Sequence, residues 1–166
     1  MEYKLLVLDV DGTLLNSNRE MSERTIKTLK KVQQNGVRIA LATGRPTYGV
    51  LPYAKAIDLD FNDGYIISYN GAKVLEASTG KILFERTIDP KMVPYLEKQA
   101  ERGGCVLAFY ENDEVVATDT SNHHIVDEAQ MNNLLCFGNQ RKGGLSSLHL
   151  VFNVNSNILR VVFRRL

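Results

Sequence analysis

The sequence predicts an α/β fold, in which a parallel sheet with helical connections is followed by a smaller α+β region. Two observations support this expectation. Short apolar segments alternate with amphipathic segments of helical period over the first 70 residues, and hairpin signals replace that alternation from Asn70-Gly71 onward. A β-α-β-α-β order with short connections is typical of parallel strands joined by right-handed crossovers.

The first half of this pattern begins with a buried strand. Residues 4–10 form an almost continuous apolar run that ends in an Asp-Gly turn signal. A helix is expected over residues 22–35, because Ser22 is a favoured N-cap, apolar side chains recur three residues apart and Gly36 follows. Residues 37–42 are the second expected strand.

A second helix and a third strand complete the parallel part. Pro46 predicts the start of the helix, which is expected to run over residues 46–57. Residues 65–69 are the third expected strand. The positions of the second helix that we expect to face inward are Val50, Leu51, Ala54 and Ile57.

The remaining chain predicts antiparallel strands and two helices. The expected elements are, in order, strands at 73–75 and 82–86, a helix at 89–103, a hairpin of strands at 105–110 and 114–118, and a helix at 121–135. We therefore expect a core domain at residues 1–80, a partial α+β domain at 81–135 and an atypical basic tail at 136–166.

Composition argues against several classes of protein. The net charge of +1 gives no reason to expect a nucleic-acid partner. No apolar run approaches the roughly 20 residues of a membrane helix, and Asp9 and Asp11 interrupt the stretch in which a secretory signal would continue. We expect a cytoplasmic protein with reduced Cys105 and Cys136, a disulfide or a reactive thiol being the alternatives.

Charge is distributed unevenly along the chain. Glu128 is the last acidic residue, and the 38 residues that follow it carry five arginine or lysine side chains. This tail indicates either a basic surface or a segment that does not belong to the same design as the rest of the chain.

Polar and glycine residues follow each of the three predicted parallel strands. In open α/β sheets, ligands bind beyond the carboxyl ends of the strands. The residues expected together at this edge are Asp9, Asp11, Gly12 and Thr13 after the first strand, Thr43, Gly44 and Arg45 after the second, and Asn70 and Gly71 after the third.

These residue types are typical of phosphoryl transfer. A carboxylate can attack phosphorus and form an aspartyl-phosphate. Two carboxylates at close range repel each other, so a divalent cation is expected, and hard oxygen donors favour Mg²⁺ over zinc. Gly12 lets the main chain approach the ligand, Thr43 can donate a hydrogen bond to a phosphoryl oxygen, and Arg45 can bind a substrate anion. Taken singly, each of these motifs is common in ordinary turns, and only their combination favours a site.

Three segments resemble one family. LDVDGTLL at residues 8–15, ATGR at 42–45 and NGA at 70–72 resemble the haloacid dehalogenase-like superfamily of phosphatases, most of all its Cof-type subgroup with a large α/β cap. The resemblance covers roughly residues 1–120. It implies a Rossmann-like core, of which this chain carries the first half, followed by a partial α+β cap.

The resemblance also implies roles for the site residues. Asp9 would be the nucleophile, and Asp11 the general acid and base. Mg²⁺ would be held by the Asp9 carboxylate and the Asp11 main-chain carbonyl. Thr43 would bind the phosphoryl group, and Arg45 and Asn70 would lie near the substrate.

The implied activity is that of a Mg²⁺-dependent phosphomonoester hydrolase acting on small sugar phosphates or related metabolites. A second acid at Asp11 suits hydrolysis, because a good leaving group would not need it. The 33 residues between Asp9 and Thr43 leave no room for a cap there, so the cap is expected after the third strand. The glycines Gly12, Gly44 and Gly71 join Arg45 and Asn70 as candidate substrate-binding residues.

Two motifs that the family carries after the cap, a lysine and an acidic pair, have no clear counterpart. Three explanations stay open: a truncated or frame-shifted product, a compact relative whose tail forms a hairpin of strands 148–154 and 158–163, or a chain that needs a partner or a second copy. The alternative function is a catalytically incomplete module that binds phosphate or self-associates.

Overall fold

The computed structural model describes residues 3–111, 114–132, 135–138 and 148–150. The chain divides into two compact units, with the boundary between Arg86 and Thr87. All of the predicted site residues lie in the first unit.

The first unit is built on a five-stranded mixed sheet. Its strands lie in the order β1-β2-β3-β4-β5, with the first three parallel and the last two antiparallel. The predicted α/β class and the hairpin after the third strand are therefore confirmed. The elements are β1 (Leu5–Asp9), α1 (Glu23–Gln34), β2 (Arg38–Ala42), α2 (Thr47–Ala56), β3 (Tyr65–Ser68), β4 (Lys73–Glu76) and β5 (Ile82–Glu85).

Helix α1 begins where its capping residue predicts. The Ser22 hydroxyl accepts a hydrogen bond from the main-chain N–H of Thr25 at 3.1 Å, which satisfies one of the unpaired donors of the first turn. At the other end, Gly36 adopts a φ of +81°, a conformation that glycine reaches without steric cost. Local hydrogen bonding thus sets both ends of this helix.

Both helices contribute to one core with the sheet. Ile39, Leu41 and Ile66 of the sheet are almost fully buried in a cluster that also contains Leu29 of α1 and Val50 of α2. Burial of such side chains is the main stabilising contribution available to a unit of this size. This core fixes β1, β2 and β3 relative to one another.

The prediction that Leu51 faces inward is wrong. Its side chain is 38% exposed, whereas Val50, Ala54 and Ile57 are buried. Leu51 follows Val50 by one position, which places it about 100° around the helix and off the line of contact.

Strand β1 has a more exposed second face. Leu5 and Val7 are each about half exposed, while Leu6 and Leu8 pack against the core. Among the strands that the structure describes, β1 pairs with β2 only. Exposed apolar side chains are a feature of association surfaces, and self-association stays a prediction.

The second unit combines a four-stranded sheet with two helices. The strand order is β8-β7-β6-β9, in which β7 and β8 are parallel and the other pairs antiparallel. This unit agrees with the predicted partial α+β cap. Its elements are α3 (Val93–Arg102), β6 (Ala108–Glu111), β7 (Glu114–Ala117), α4 (His123–Met131), β8 (Leu135–Gly138) and β9 (Leu148–Leu150).

Helix α4 ends earlier than predicted. The expected helix ran to residue 135, but α4 ends at Met131 and residue 135 begins β8. The Asn132 side-chain amide donates to the carbonyl oxygen of Glu128 at 2.9 Å. This side-chain bond competes with the main chain for a helix carbonyl, and such bonds are found where helices end.

The predicted tail hairpin lies only partly within the described residues. Leu148–Leu150 forms β9, which pairs with β6. The rest of that prediction lies outside the described residues. No helix in the described part of the chain combines the length and the apolar character that crossing a bilayer requires.

Candidate active site

The carboxyl ends of β1, β2 and β3 meet at one edge of the sheet. Asp9 is the register partner of Ala42, and Ala42 is the partner of Ile67. The segments that leave these three strands are therefore neighbours. They carry all of the predicted site residues.

A wide turn follows β1 and carries the first group of these residues. The N–H of Leu15 donates to the carbonyl oxygen of Val10 at 3.0 Å and closes the turn. Val10 and Leu14 are buried and anchor it. Gly12 has a φ of +77° at its tip, which an L side chain rarely adopts. The two buried side chains therefore anchor the turn in the core, while the residues between them stay exposed.

Asp9 lies at the end of β1 with an exposed side chain. Its Oδ2 atom is 3.4 Å from the Thr13 hydroxyl, which donates to it. That hydrogen bond is long, so it leaves the Asp9 carboxylate largely available to a ligand. A carboxylate in this position has the access that an attacking group requires.

Asp11 is bound by Arg45 through both of its carboxylate oxygens. Arg45 Nε donates to Oδ2 at 2.8 Å, and Nη2 donates to Oδ1 at 2.6 Å. The arginine side chain is 4% exposed and that of Asp11 is 48% exposed. Bidentate pairs of this kind are the strongest and most directional contacts between such groups.

Hydrogen bonding to Asp11 raises the pKa of Arg45 above its ordinary value, although burial acts in the opposite direction. Arg45 therefore stays a cation at any physiological pH. In the structure its guanidinium binds Asp11. The prediction that Arg45 also binds a substrate anion stays a prediction.

Thr43 connects the ends of β2 and β3. Its N–H donates to the carbonyl oxygen of Ile67 at 2.9 Å. Its hydroxyl, which is buried with the rest of the side chain, accepts the N–H of Arg45 at 3.1 Å. Because this hydroxyl acts as an acceptor towards the main chain, its own proton can be donated to a ligand.

Asn70 lies on the segment after β3 and closes over Gly44. Its N–H donates to the carbonyl oxygen of Thr43 at 3.1 Å, and its φ is +56°, which asparagine tolerates better than most residues. A Cβ atom on Gly44 would lie 3.1 Å from the Asn70 side-chain oxygen. A glycine at position 44 thus permits this close approach. Gly71 follows with a φ of +88° and completes the turn.

Tyr53 is a further residue of the site that the sequence did not single out. It lies on α2, and its hydroxyl accepts from Nη1 of Arg45 at 3.4 Å. A tyrosine on a helix that packs against a sheet is ordinarily a packing residue. The one available signal was its spacing of seven residues from Pro46, which is two turns along the same side of the helix.

The donors at the end of β1 fit a hard divalent cation. The Asp9 carboxylate and the Asp11 main-chain carbonyl are oxygen ligands, whereas the Asp11 side-chain oxygens are occupied by Arg45. In the ranges that the structure describes, no three His, Cys, Asp or Glu side chains come together as a metal cage. Mg²⁺ ordinarily takes one or two carboxylates and completes its shell with water and substrate phosphate, so this donor set suits Mg²⁺.

Comparisons with known proteins agree with the fold. The family description "haloacid dehalogenase-like hydrolase" matches residues 6–142. YxeH of Bacillus subtilis strain 168, provisionally named a phosphatase, is 40% identical over 86 residues, which are 52% of this chain and 32% of YxeH.

Solved structures give the same result. A haloacid dehalogenase-like hydrolase from Bacteroides thetaiotaomicron is 34% identical with a TM-score of 0.77, over 84% of this chain and 53% of that one. The fold of the subclass IIB sugar phosphatase BT4131 is also similar, with a TM-score of 0.65 at 21% identity, over 81% of this chain and 52% of that one.

The chain spans about half the length of the solved structures that it matches and about a third of YxeH. The family match nevertheless covers most of the sequence and includes β1, β2 and β3 with the segments that follow them. The resemblance to Cof-type proteins is confirmed. This chain belongs to the haloacid dehalogenase-like hydrolases.

Proposed function

We propose that this chain carries the nucleophile and the general acid and base of a phosphomonoester hydrolase. The enzyme would use Mg²⁺ and act on small phosphorylated metabolites such as sugar phosphates. The observation that carries the proposal is the pair of carboxylates at the end of β1 and on the turn that follows it. Asp9 is exposed and weakly bound, while Asp11 is fixed by a buried arginine. Two carboxylates in such different surroundings suit two different roles.

In the first step, the Asp9 carboxylate attacks phosphorus. Asp11 starts this step protonated, with one of its two bonds to Arg45 released. A bond forms between an Asp9 oxygen and phosphorus, the bond to the leaving oxygen breaks, and Asp11 gives its proton to that oxygen. In the second step, Asp11 takes a proton from water as the water oxygen attacks phosphorus. Phosphate leaves, and Asp9 is regenerated as a carboxylate.

The remaining residues would hold the phosphoryl group in place. The Thr43 hydroxyl and the main-chain N–H groups around Gly12 are donors of the kind that bind phosphoryl oxygens. Asn70 and Gly44 would border the rest of the substrate, with Gly71 behind them. A Mg²⁺ ion on the Asp9 carboxylate and the Asp11 carbonyl would supply positive charge that offsets the phosphoryl oxygens.

The test is hydrolysis of p-nitrophenyl phosphate by the full chain, with Mg²⁺ and with EDTA, beside the variant Asp9→Asn. We expect turnover that needs Mg²⁺ and is lost in Asp9→Asn. Asp63→Asn is a matched control, because Asp63 is an exposed aspartate ahead of β3 whose φ of +50° asparagine also accepts. Full activity of Asp9→Asn would contradict the covalent mechanism.

A second candidate function is phosphate binding without turnover. One observation favours it: both Asp11 oxygens are engaged by Arg45, so one hydrogen bond must be given up before Asp11 can exchange a proton with a substrate. Calorimetric titration of the folded chain with inorganic phosphate and Mg²⁺ separates the two candidates. Binding without hydrolysis would support the second.

A further inference from the structure

Arg45 has a second partner on the side away from Asp11. Its Nη1 atom is 3.4 Å from the Tyr53 hydroxyl oxygen, and its Cζ atom lies 5.4 Å from the centre of the Tyr53 ring. A guanidinium at this distance from an aromatic face is attracted by the ring as well as by the hydroxyl. Tyr53 therefore contacts the group that holds Asp11.

Tyr53 is itself tied to the segment that follows the β1 turn. Its hydroxyl donates to the carbonyl oxygen of Arg19 at 3.4 Å. That carbonyl belongs to a closed turn, in which Asn16 N–H donates to the Glu20 carbonyl oxygen at 3.0 Å and Arg19 N–H donates to the Asn16 carbonyl oxygen at 2.9 Å. The Tyr53 hydroxyl thus accepts from a cation and donates to a fixed carbonyl. Both hydrogen bonds are long, so the contact between the ring and the guanidinium adds to them in holding Arg45.

A further pair of hydrogen bonds stiffens this turn. The Asn16 side-chain oxygen accepts the N–H of Asn18 at 2.9 Å and the N–H of Glu20 at 3.0 Å. Side-chain bonds of this type fix a turn without help from the rest of the fold. The support behind Tyr53 is therefore built from short, local contacts.

We propose that Tyr53 is a positioning residue for Asp11, acting through Arg45, a role that rests on the proposed phosphatase function. Arg45 fixes both oxygens of Asp11, and Tyr53 restricts the guanidinium from the opposite side. Without Tyr53, the guanidinium gains alternative orientations and the Asp11 carboxylate loses its fixed direction. When Asp11 gives up one of its two bonds to Arg45 and carries a proton, the remaining bond then aims that proton at the leaving oxygen less often.

The dependence of kcat/KM on the leaving group is a measurement that a general loss of structure would not change. An alkoxide leaving group depends strongly on protonation, whereas p-nitrophenolate leaves readily without it. The ratio kcat/KM reports the steps up to release of the first product, so it isolates the proton donation by Asp11. Misplacement of Asp11 should therefore lower kcat/KM for an alkyl phosphate more than for p-nitrophenyl phosphate.

The experiment compares Tyr53→Phe and Tyr53→Leu with the full wild-type chain on glycerol phosphate and on p-nitrophenyl phosphate. We expect kcat/KM for glycerol phosphate to fall about tenfold in Tyr53→Leu and about threefold in Tyr53→Phe, which keeps the ring. For p-nitrophenyl phosphate we expect a change of about twofold at most. Equal losses on both substrates, or no loss on either, would overturn the proposal.

Tyr65→Phe is the matched control. The Tyr65 hydroxyl also accepts from an arginine, Nη1 of Arg38 at 3.2 Å, but it lies at the amino end of β3, away from the site. This variant loses the same kind of hydrogen bond, so we expect the ratio between the two substrates to stay as in the wild type.

A measurement that needs no activity tests the contact itself. Nuclear magnetic resonance of the Arg45 guanidinium, assigned by its loss in Arg45→Lys, reports rotation about the Nε–Cζ bond. We expect slow rotation in the wild-type chain and fast rotation in Tyr53→Leu. Unchanged slow rotation in Tyr53→Leu would overturn the positioning role. If the wild type hydrolyses neither substrate, the proposed function fails, and the guanidinium result alone supports or overturns the role of Tyr53.

Discussion

Replacement of Gly64 by alanine tests how tightly the chain packs at the entry to β3. A Cβ atom at this position would lie 2.2 Å from Cδ1 and 2.4 Å from Cγ of Leu59, and 3.0 Å from the Ile39 carbonyl oxygen. Leu59 and Ile39 are fully buried, so neither can move into solvent. The new methyl group must therefore displace either a core side chain or the main chain.

The free energy of unfolding should fall by about 1 kcal/mol in Gly64→Ala. Overpacking of a filled core costs about 1–3 kcal/mol, and a glycine-to-alanine change recovers about 0.4–1 kcal/mol by restricting the unfolded chain. Leu59→Ala alone should cost about 2–5 kcal/mol because it leaves a cavity. In the double variant the added methyl group occupies part of that cavity, so the combined loss should be smaller than the sum.

The assay is urea unfolding followed by the amide signals of β2 and β3, which report on the first unit. Gly103→Ala is the control, followed by the amide signals of α3. A Cβ atom at Gly103 would lie 3.4 Å from the Gln99 carbonyl oxygen, its closest contact, and the φ of −84° suits alanine. We expect its stability to change by less than about 1 kcal/mol. Wild-type stability of Gly64→Ala, or strict additivity in the double variant, would refute the packing argument.

Two further predictions concern single hydroxyl groups. Ser22→Ala removes the acceptor of the Thr25 N–H and should lower the free energy of unfolding by about 1 kcal/mol, measured by urea unfolding through the amide signals of α1. Thr43→Val leaves the Arg45 N–H without its acceptor and removes the proposed phosphate donor, so kcat/KM for p-nitrophenyl phosphate should fall at least about tenfold. Thr43→Ser keeps the hydroxyl and should stay within about threefold of the wild type, and equal activity of the valine variant would contradict the role of Thr43.

The elements that local chemistry determines were predictable from the sequence. Ser22 caps α1 with its own hydroxyl. The apolar run before Asp9 forms β1, of which one face packs against the core. The hairpin after β3 follows from Asn70 and Gly71, both of which adopt positive φ. In each case the deciding interaction lies within a few residues of the signal.

The sequence could not show which groups of the site contact each other. The bond between Asp11 and Arg45 joins residues 34 positions apart, and its geometry depends on how α2 packs on the sheet. Tyr53 is hidden for the same reason, because a tyrosine on an amphipathic helix is usually a packing residue. Tertiary packing decides the exposure of Leu51, and the Asn132 side-chain amide decides where α4 ends. Neither is visible in the local sequence pattern.

The pairing of β1 with one described strand affects how readily the site opens locally. Among the described strands, β1 is bonded to β2 alone, so local opening of β1 breaks only one ladder of hydrogen bonds. The Asp9 carboxylate is carried by this strand, and a ligand bound to it would resist that opening. Part of the binding free energy is then used to keep the strand closed, so a ligand at Asp9 should slow amide hydrogen exchange along Leu5–Asp9 more than in β3.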